Sequence, residues 1–383
     1  MRRAVFNEDH ESFRSMIRKY LEAEVVPHFP KWEKAGHPPR EFYEGLGSLG
    51  VLGMAVPEEY GGAGEPSYKY SAVLTEESLR ATLGVGTVRV HMDLVLPYFM
   101  TYGTPEQHAR WLPGFCRGDL MTAIALTEPG TGSDLAGIAT TAVLDGDQYI
   151  VNGSKTFITG GINADLVLTA VRTSPPTPEN RRAGLSLLVI EADTPGYSVG
   201  RNLEKLGLKA QDTAELFFDN VRVRADNILG EEGQAFSYLS HNLPQERLSI
   251  AVGSLAAARA AVTATIDYVS ERKAFGKPIA SFQNTKFVLA ECDTEIEAGQ
   301  AMVDRALEEH ETGDLTAVDA AKVKLYTTEL QGRVVDKCLQ LFGGYGYMTE
   351  YPISRLYADA RVTRIYGGSS EIMKTIIGKN LGL

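Results

Sequence analysis

Leu126-Thr-Glu-Pro-Gly-Thr-Gly-Ser-Asp134, residues 126–134, lies where the chain changes its period. Before it, apolar residues recur at helical spacing. After it, they alternate with a period of two and β-branched residues rise. A Pro-Gly turn leads into small residues. Gly130 and Gly132 leave backbone N–H groups open to close approach by a phosphate or a planar ring. Thr127, Thr131 and Ser133 add hydroxyls. On spacing alone, a glycine-rich linker between domains fits the same residues.

Upstream, residues 8–120 read as helical. Phe13, Met16, Ile17, Tyr20 and Leu21 form one apolar stripe, with Asn7 as its N-cap. A second helix should hold Phe42, Leu46 and Leu49, and Pro57–Pro66 should be a loop. Further helices are expected near 67–82, 86–102 and 105–112. Downstream, Val143, Tyr149 and Val151 flank an Asp145-Gly146 hairpin turn. Strands are expected at 166–171, 185–190 and 216–223, and Thr173–Arg182 as a polar surface loop. From about 234 the pattern is helical again, with long helices at 247–271, 281–312, 316–342 and 370–381. Four helices there suggest an antiparallel bundle. The expected fold is mainly α with a β middle domain: 1–120 helical, 121–230 β, 231–383 a four-helix bundle.

Composition narrows the function. The chain has 383 residues, 44 % hydrophobic and 23 % charged, with a net charge of −11. That is a globular composition, and an acidic one that disfavours binding to a nucleic-acid polyanion. Three cysteines without paired spacing exclude a disulfide framework and a zinc ribbon. Two early arginines are followed by no apolar core of a signal peptide. The most apolar helical stretch, Leu248–Val262, carries Arg259, and nothing was expected to approach a membrane span. The expectation is a soluble, cytoplasmic protein. Dinucleotide G-x-G-x-x-G, Walker, zinc-protease and nucleophile-elbow patterns are all absent from the sequence.

Four further motifs carry chemistry. Lys155-Thr-Phe-Ile-Thr-Gly-Gly161 ends a strand, where Phe157 offers a stacking face and Thr159 a hydroxyl, or where Phe157 is simply core. Glu271-Arg-Lys-Ala-Phe-Gly-Lys277, followed by Phe282-Gln283, could hold a pyrophosphate and an adenine. It also reads as a basic helix C-terminus closed by glycine. Gln340-Leu-Phe-Gly-Gly-Tyr-Gly-Tyr347 implies tight backbone approach. Arg364-Ile-Tyr-Gly-Gly-Ser-Ser-Glu-Ile372 is a loop entering a helix N-terminus.

In order, spacing and wording these five segments resemble the acyl-CoA dehydrogenase family, over essentially the whole chain. The resemblance implies a helical, β and four-helix-bundle domain order, bound FAD, and a homotetramer built as a dimer of dimers. It implies that Ile124, Leu126, Thr127, Gly132 and Ser133 line the flavin and pyrophosphate. Phe157, Ile158 and Thr159 would lie beside the isoalloxazine; many members have Trp where this chain has Phe157. Arg272, Phe275, Gln283, Gln340, Leu341, Gly343 and Gly344 would reach the FAD of the neighbouring subunit, and Ser369, Ser370 and Glu371 would also contact FAD. The implied reaction is α,β-dehydrogenation of an acyl-CoA thioester to the trans-2-enoyl-CoA. The implied electron acceptor is an electron-transfer flavoprotein.

The base departs from the commonest family pattern. Many members place Glu directly after the Ile-Tyr pair, where this chain has Gly367. Long-chain and isovaleryl-type members instead place it on the first long helix of the C-terminal domain. There, Asn242-Leu-Pro-Gln-Glu-Arg-Leu248 puts Glu246 at the matching position, and the wording is closest to long-chain members. Glu371 is the rival carboxylate. An exposed helix-start Glu246 paired to Arg247 is the plainer alternative. Leu243, Arg247, Gly367 and Ser133 are the expected substrate contacts. Gly86 and Val90 should form the pocket floor, leaving room for a medium-to-long chain, with Arg89 and His91 on the outer face. Branched, sterol-derived or acyl-carrier-protein thioesters, a non-catalytic subunit of a heteromeric dehydrogenase, and a flavin oxidase or monooxygenase remain as alternatives.

Overall fold

The computed structural model describes residues 3–383. The first helices are α1 (Glu8–Tyr20), α2 (Phe29–Ala35), α3 (Arg40–Ser48), α4 (Lys69–Arg80), α5 (Gly86–Arg89), α6 (Leu96–Tyr102) and α7 (Pro105–Arg117). Asn7 caps α1: its side chain accepts from the His10 N–H, and His10 returns a bond to the Asn7 N–H. Thr104 and Gln107 do the same for α7. Phe42 and Leu46 are buried as expected, but Leu49 caps α3 and is exposed.

The helix expected over 86–102 is one helical run interrupted by a π-helical segment, Val90–Val95, between α5 and α6. The wider turn changes which residues face inward. His91, expected outside, is fully buried, its ring stacked 3.4 Å from Phe115 and its Nδ1 3.0 Å from the Thr122 hydroxyl. Burial pushes its imidazole down to about 3, so it is neutral. Arg89 also turns inward and donates to the Ser249 hydroxyl.

The strands are β1 (Thr122–Ala125), β2 (Thr141–Asp145), β3 (Gln148–Thr159), β4 (Leu166–Arg172), β5 (Leu185–Glu191), β6 (Tyr197–Asn202), β7 (Thr213–Arg224) and β8 (Ile228–Leu229). They form one sheet in the order β6-β7-β3-β2-β4-β5-β8, with β1 parallel to β4. The β2–β3 hairpin turns at Asp145-Gly146, as the sequence indicates. β4 and β5 are buried almost throughout, so their apolar runs are continuous rather than alternating. β6, exposed along much of its length, has no apolar pattern to announce it.

The C-terminal part holds five helices rather than four: α8 (Ala235–Glu271), α9 (Gln283–Glu311), α10 (Ala317–Phe342), α11 (Pro352–Thr363) and α12 (Ser370–Asn380). The short hairpin of β9 (Lys273–Ala274) and β10 (Lys277–Pro278) joins α8 to α9. α8 begins twelve residues before the expected 247, because it runs through Pro244. Proline removes one helix hydrogen bond, and packing of the surrounding turn keeps the helix going. α8 is long and apolar enough to cross a membrane, contrary to the expectation that nothing was. Most of that stretch is buried inside the protein, at the centre of the bundle core with Leu248, Val252, Leu255 and Val262.

Candidate active site

Glu246 lies 11 residues inside α8, and 7 % of it is exposed. The alternative of a surface carboxylate at a helix start is therefore wrong. Tyr98, from α6, donates its hydroxyl to Glu246 Oε1 at 3.0 Å. Burial pushes the Glu246 carboxyl up to about 7, against the opposing pull of the Tyr98 bond and the Arg247 charge. Arg247 is buried beside it; among the described residues it makes no ion pair and its Nε has no hydrogen-bond partner. Leu243 is half-buried one turn earlier.

The helix carrying Glu246 is gripped on both sides by the π-helical segment. Gln245 Nε2 donates to the Asp93 carbonyl at 2.9 Å, and Ser249 Oγ donates to Asp93 Oδ2 at 2.5 Å. Ser71 also donates to Asp93, which is buried. These bonds fix the turn of α8 that presents Glu246.

The rival carboxylate is in a different setting. Glu371 is exposed in the first turn of α12, held below the ordinary carboxylate range by its own backbone N–H and the Ser369 hydroxyl. It is charged at neutral pH and has no burial to raise its basicity. Ser369 is the N-cap of α12, accepting from the Ile372 N–H. Ser370, expected at a cofactor, is turned inward: it is buried and its hydroxyl donates to Glu329 at 2.7 Å.

Gly367 and Gly368 have φ of +61° and +91°, and Lys324 holds the loop containing them. Its buried ammonium donates to the carbonyls of Tyr366 and Gly368. A Cβ at Gly367 would meet Ile250 Cδ1 at 2.3 Å, so the position that carries Glu in many members is closed to any side chain without repacking. The Gly367 N–H makes no backbone hydrogen bond among the described residues.

The Leu126–Asp134 loop is clamped from beneath. Lys155, fully buried on β3, donates to Glu128 Oε1 at 2.8 Å and to the Leu126 carbonyl at 3.1 Å. Glu128 in turn accepts from the Ala139 and Thr140 N–H groups. Above this clamp, Ile124, Leu126 and Thr127 are half-buried, and Gly132 and Ser133 are exposed. A Cβ at Gly130 or Gly132 would meet nothing within 4 Å.

A bulge in β3 between Lys155 and Ile158 splits the next three residues between the two faces. Phe157, at φ +61°, is 67 % exposed, so it is not core. Ile158 points the other way; its side chain is buried in the sheet and leaves only backbone for a cofactor. Thr159 Oγ1 accepts from Gln211 Nε2 at 3.2 Å, which leaves its own hydroxyl hydrogen free to donate outward. Gln211 also corrects the reading of Gly86. The space above Gly86 is not open: a Cβ there would lie 1.9 Å from Gln211 Oε1. Val90 is buried in the core between the helices and the sheet.

A third group lies at the end of α8. Arg272, Phe275, Gln340, Leu341, Gly343 and Gly344 line one open cavity of about 860 Å³. Phe275 (φ +50°) and Gly276 (φ +78°) are the central pair of the β9–β10 hairpin, as a type I′ turn requires. Phe275 stands 96 % exposed at its tip. Gln283 is exposed at the start of α9, outside that lining. Tyr98, Gln211, Lys324 and Asp93 escape a reading of the sequence. Each lies within an ordinary helical or loop pattern, and only the fold reveals its partner.

The acyl-CoA dehydrogenase N-terminal, middle and C-terminal domain models match residues 7–119, 123–221 and 233–382. The mitochondrial long-chain specific acyl-CoA dehydrogenase of Sus scrofa is 44 % identical, covering 99 % of this chain and 88 % of its own. The crystal structure of an acyl-CoA dehydrogenase from Geobacillus kaustophilus is 49 % identical, covers both chains fully and superposes with a TM-score of 0.97. A glutaryl-CoA dehydrogenase from Mycobacterium smegmatis, solved in complex with FADH2, is 30 % identical over 98 % of this chain and 95 % of its own, with a TM-score of 0.90. With all three domains matched in order around a buried carboxylate and open glycine cradles, the chain belongs to the acyl-CoA dehydrogenase family, FAD-dependent enzymes acting on acyl-CoA thioesters.

Proposed function

We propose that this protein dehydrogenates medium-to-long acyl-CoA thioesters between Cα and Cβ, with Glu246 as the base that removes the α-proton. The observation that carries the reading is the burial of Glu246, which brings its carboxyl to about 7. A base poised near working pH balances being ionised against being strong enough to take a proton from carbon. The rival carboxylate and the glycine at 367 leave no comparable group in that part of the site.

The residues present fit FAD. Open glycines at 130, 132, 343 and 344 admit backbone contact with phosphate or ring. Two aromatics, Phe157 and Phe275, are held out at positive φ, a conformation costly for such residues and kept where surroundings or function demand it. When bound, FAD supplies at N5 the acceptor for the β-hydrogen, taken as hydride. Thr159, oriented by Gln211, would donate to the flavin, and the exposed Phe157 ring would offer it a stacking face. The Gly367 N–H, fixed by Lys324, donates to the thioester carbonyl and stabilises the charge that grows there as the α-proton leaves. Glu246 receives that proton on its carboxylate, in a pocket whose burial keeps water from competing.

Arg272, which caps the C-terminus of α8, lies 26 residues beyond Glu246, about 39 Å along the helix. That exceeds what one cofactor bridges, so the Arg272–Phe275 cradle serves the FAD of a neighbouring subunit, and a homo-oligomer completes each site. A dimer of dimers is the proposed assembly, and an electron-transfer flavoprotein the proposed electron acceptor. The chain-length preference rests on the long-chain relatives and on the base sitting on α8, no longer on room at Gly86.

The test is an anaerobic titration of the yellow holoenzyme with acyl-CoAs of graded length, followed by flavin bleaching. Long linear chains should bleach wild type promptly. Glu246→Gln should keep its FAD and lose about 10⁴-fold in bleaching rate, the upper end of what a general base contributes. Wild-type bleaching by the Gln variant would remove Glu246 as the base.

A further inference from the structure

Tyr98 bonds to the proposed base and is otherwise without a part in the reaction. It is fully buried on α6, and its hydroxyl donates to Glu246 Oε1 at 3.0 Å. Among the described residues, Oε2 of the same carboxylate carries no hydrogen bond. The two oxygens are therefore unequal, one held and one free.

Toward Glu246, Tyr98 acts only as a donor. Burial raises its hydroxyl well above 10, and the neighbouring Glu246 and Tyr102 push the same way. The other group at the phenol is the Asn242 amide, one turn before Glu246 on α8. The charged group facing Glu246 is Arg247, on its own helix. Tyr98 thus cannot take the proton from Glu246 at working pH, but it can stabilise the ionised carboxylate and hold its rotamer. Two devices place the phenol: the π-helical segment just before α6, and the Asp93 bonds that lock that segment to α8.

We propose that Tyr98 is the positioning residue of the base: it anchors Oε1 so that Oε2 faces the substrate α-carbon, and it sets the pH at which the carboxylate becomes competent. The proposal rests on Glu246 being the base. It adds a second group, from a different helix, without which the base is present but neither ionised nor aimed at neutral pH.

The experiment uses full-length holoenzyme of wild type, Tyr98→Phe and Glu246→Gln. Single-turnover bleaching by palmitoyl-CoA is recorded across pH 5–9. In parallel, infrared difference spectra follow the protonated-carboxyl band that Glu246→Gln removes, without substrate. Tyr98→Phe should move the midpoint of both curves upward by about one to two pH units, the range expected for losing one hydrogen bond to a charged group. Below the wild-type midpoint its bleaching should fall at least tenfold. Replacing Tyr98 by 3-fluorotyrosine keeps the ring and strengthens the donor, so it should move both midpoints down; this variant also decides the matter if the Phe protein does not fold. Unchanged midpoints in Tyr98→Phe or the fluorinated protein, with Glu246→Gln inactive, would overturn the Tyr98 assignment alone. Full bleaching by Glu246→Gln would overturn the base and this proposal with it.

Discussion

The pocket around Glu246 and the cradle around Phe275 are opposite solutions to holding reactive groups. At Glu246 the chain closes on itself: 7 % of the residue is exposed, Tyr98 of α6 holds its carboxyl, and the π-helical segment grips its neighbours Gln245 and Ser249 on α8. At Phe275 the chain opens outward, with the ring 96 % exposed and glycines around it that touch nothing. Each breaks a local rule, by burying a carboxylate or by holding an aromatic at positive φ. On the proposed reading, the difference separates the part of the machinery that one subunit finishes from the part that a neighbour and a cofactor would complete.

The sharpest way to break the interior half is through the clamp beneath the Leu126–Asp134 loop. Lys155→Met leaves Glu128 as an uncompensated buried charge that still accepts from two backbone N–H groups. Removing one partner of such a pair costs about 3–5 kcal/mol. The expected outcome is a large drop in urea midpoint together with loss of flavin. A variant that denatures like wild type would mean that the pair does not hold the loop.

Glu246→Gln tests the same interior with the opposite sign. Burial raises this carboxyl from 4.5 to about 7. Folded protein therefore binds a proton more tightly than unfolded protein between those values. Its stability contribution is intact below about 4.5 and is lost as pH rises through about 7. Glutamine does not titrate, so the variant should match wild type near pH 4.5 and exceed it by about 3 kcal/mol above pH 7. Melting curves at the two pH values check this. A gain independent of pH would show that packing, not charge burial, separates the two proteins.

The sequence made the outer half more legible than the inner half. Gly-Gly and Phe-Gly pairs are read directly, because an exposed backbone contact depends on few neighbours. Hence the cradle at Arg272, Phe275 and Gln340–Gly344 is gathered where the motifs indicate. Burial of Glu246 is not legible in that way. It depends on Tyr98, 148 positions away, and on a helix that passes through Pro244, which sequence reasoning takes as a stop. Gly86 shows the reverse error: its missing side chain reads as free space, while Gln211, distant in sequence, occupies it. Ile158, expected beside the cofactor together with Phe157, turns into the sheet instead, because a bulge breaks the alternation on which the strand reading depends.

Gly367→Ala lies between the two regions. Its φ of +61° and the 2.3 Å approach of Ile250 Cδ1 both oppose a methyl group. The backbone term alone is about 1–2 kcal/mol. Measured against Ile250→Ala alone, which carries its own cavity cost, adding Gly367→Ala should cost only the backbone share. Melting temperatures of both single variants and the double separate the two shares. No further loss on adding Gly367→Ala to Ile250→Ala would mean that the loop relaxes out of positive φ.

The smallest effect on the subunit should come from the most exposed residue. Phe275 makes its ring contact with Phe282, at 6.2 Å between centroids, and its φ of +50° is one that glycine adopts more easily. Phe275→Gly should therefore leave the apoprotein's melting temperature unchanged or slightly higher, within about 1 kcal/mol. The same change removes the ring from the cradle, so flavin should dissociate faster and the oligomer should weaken on dilution. On the proposed reading, a residue kept in a costly conformation and nearly bare of contacts in its own chain is held there for what would cover it in an assembly. If the glycine variant melts lower yet keeps its flavin and its oligomeric state, the ring is serving the hairpin rather than the cofactor, and the contrast between a closed interior and an unfinished exterior fails at this point.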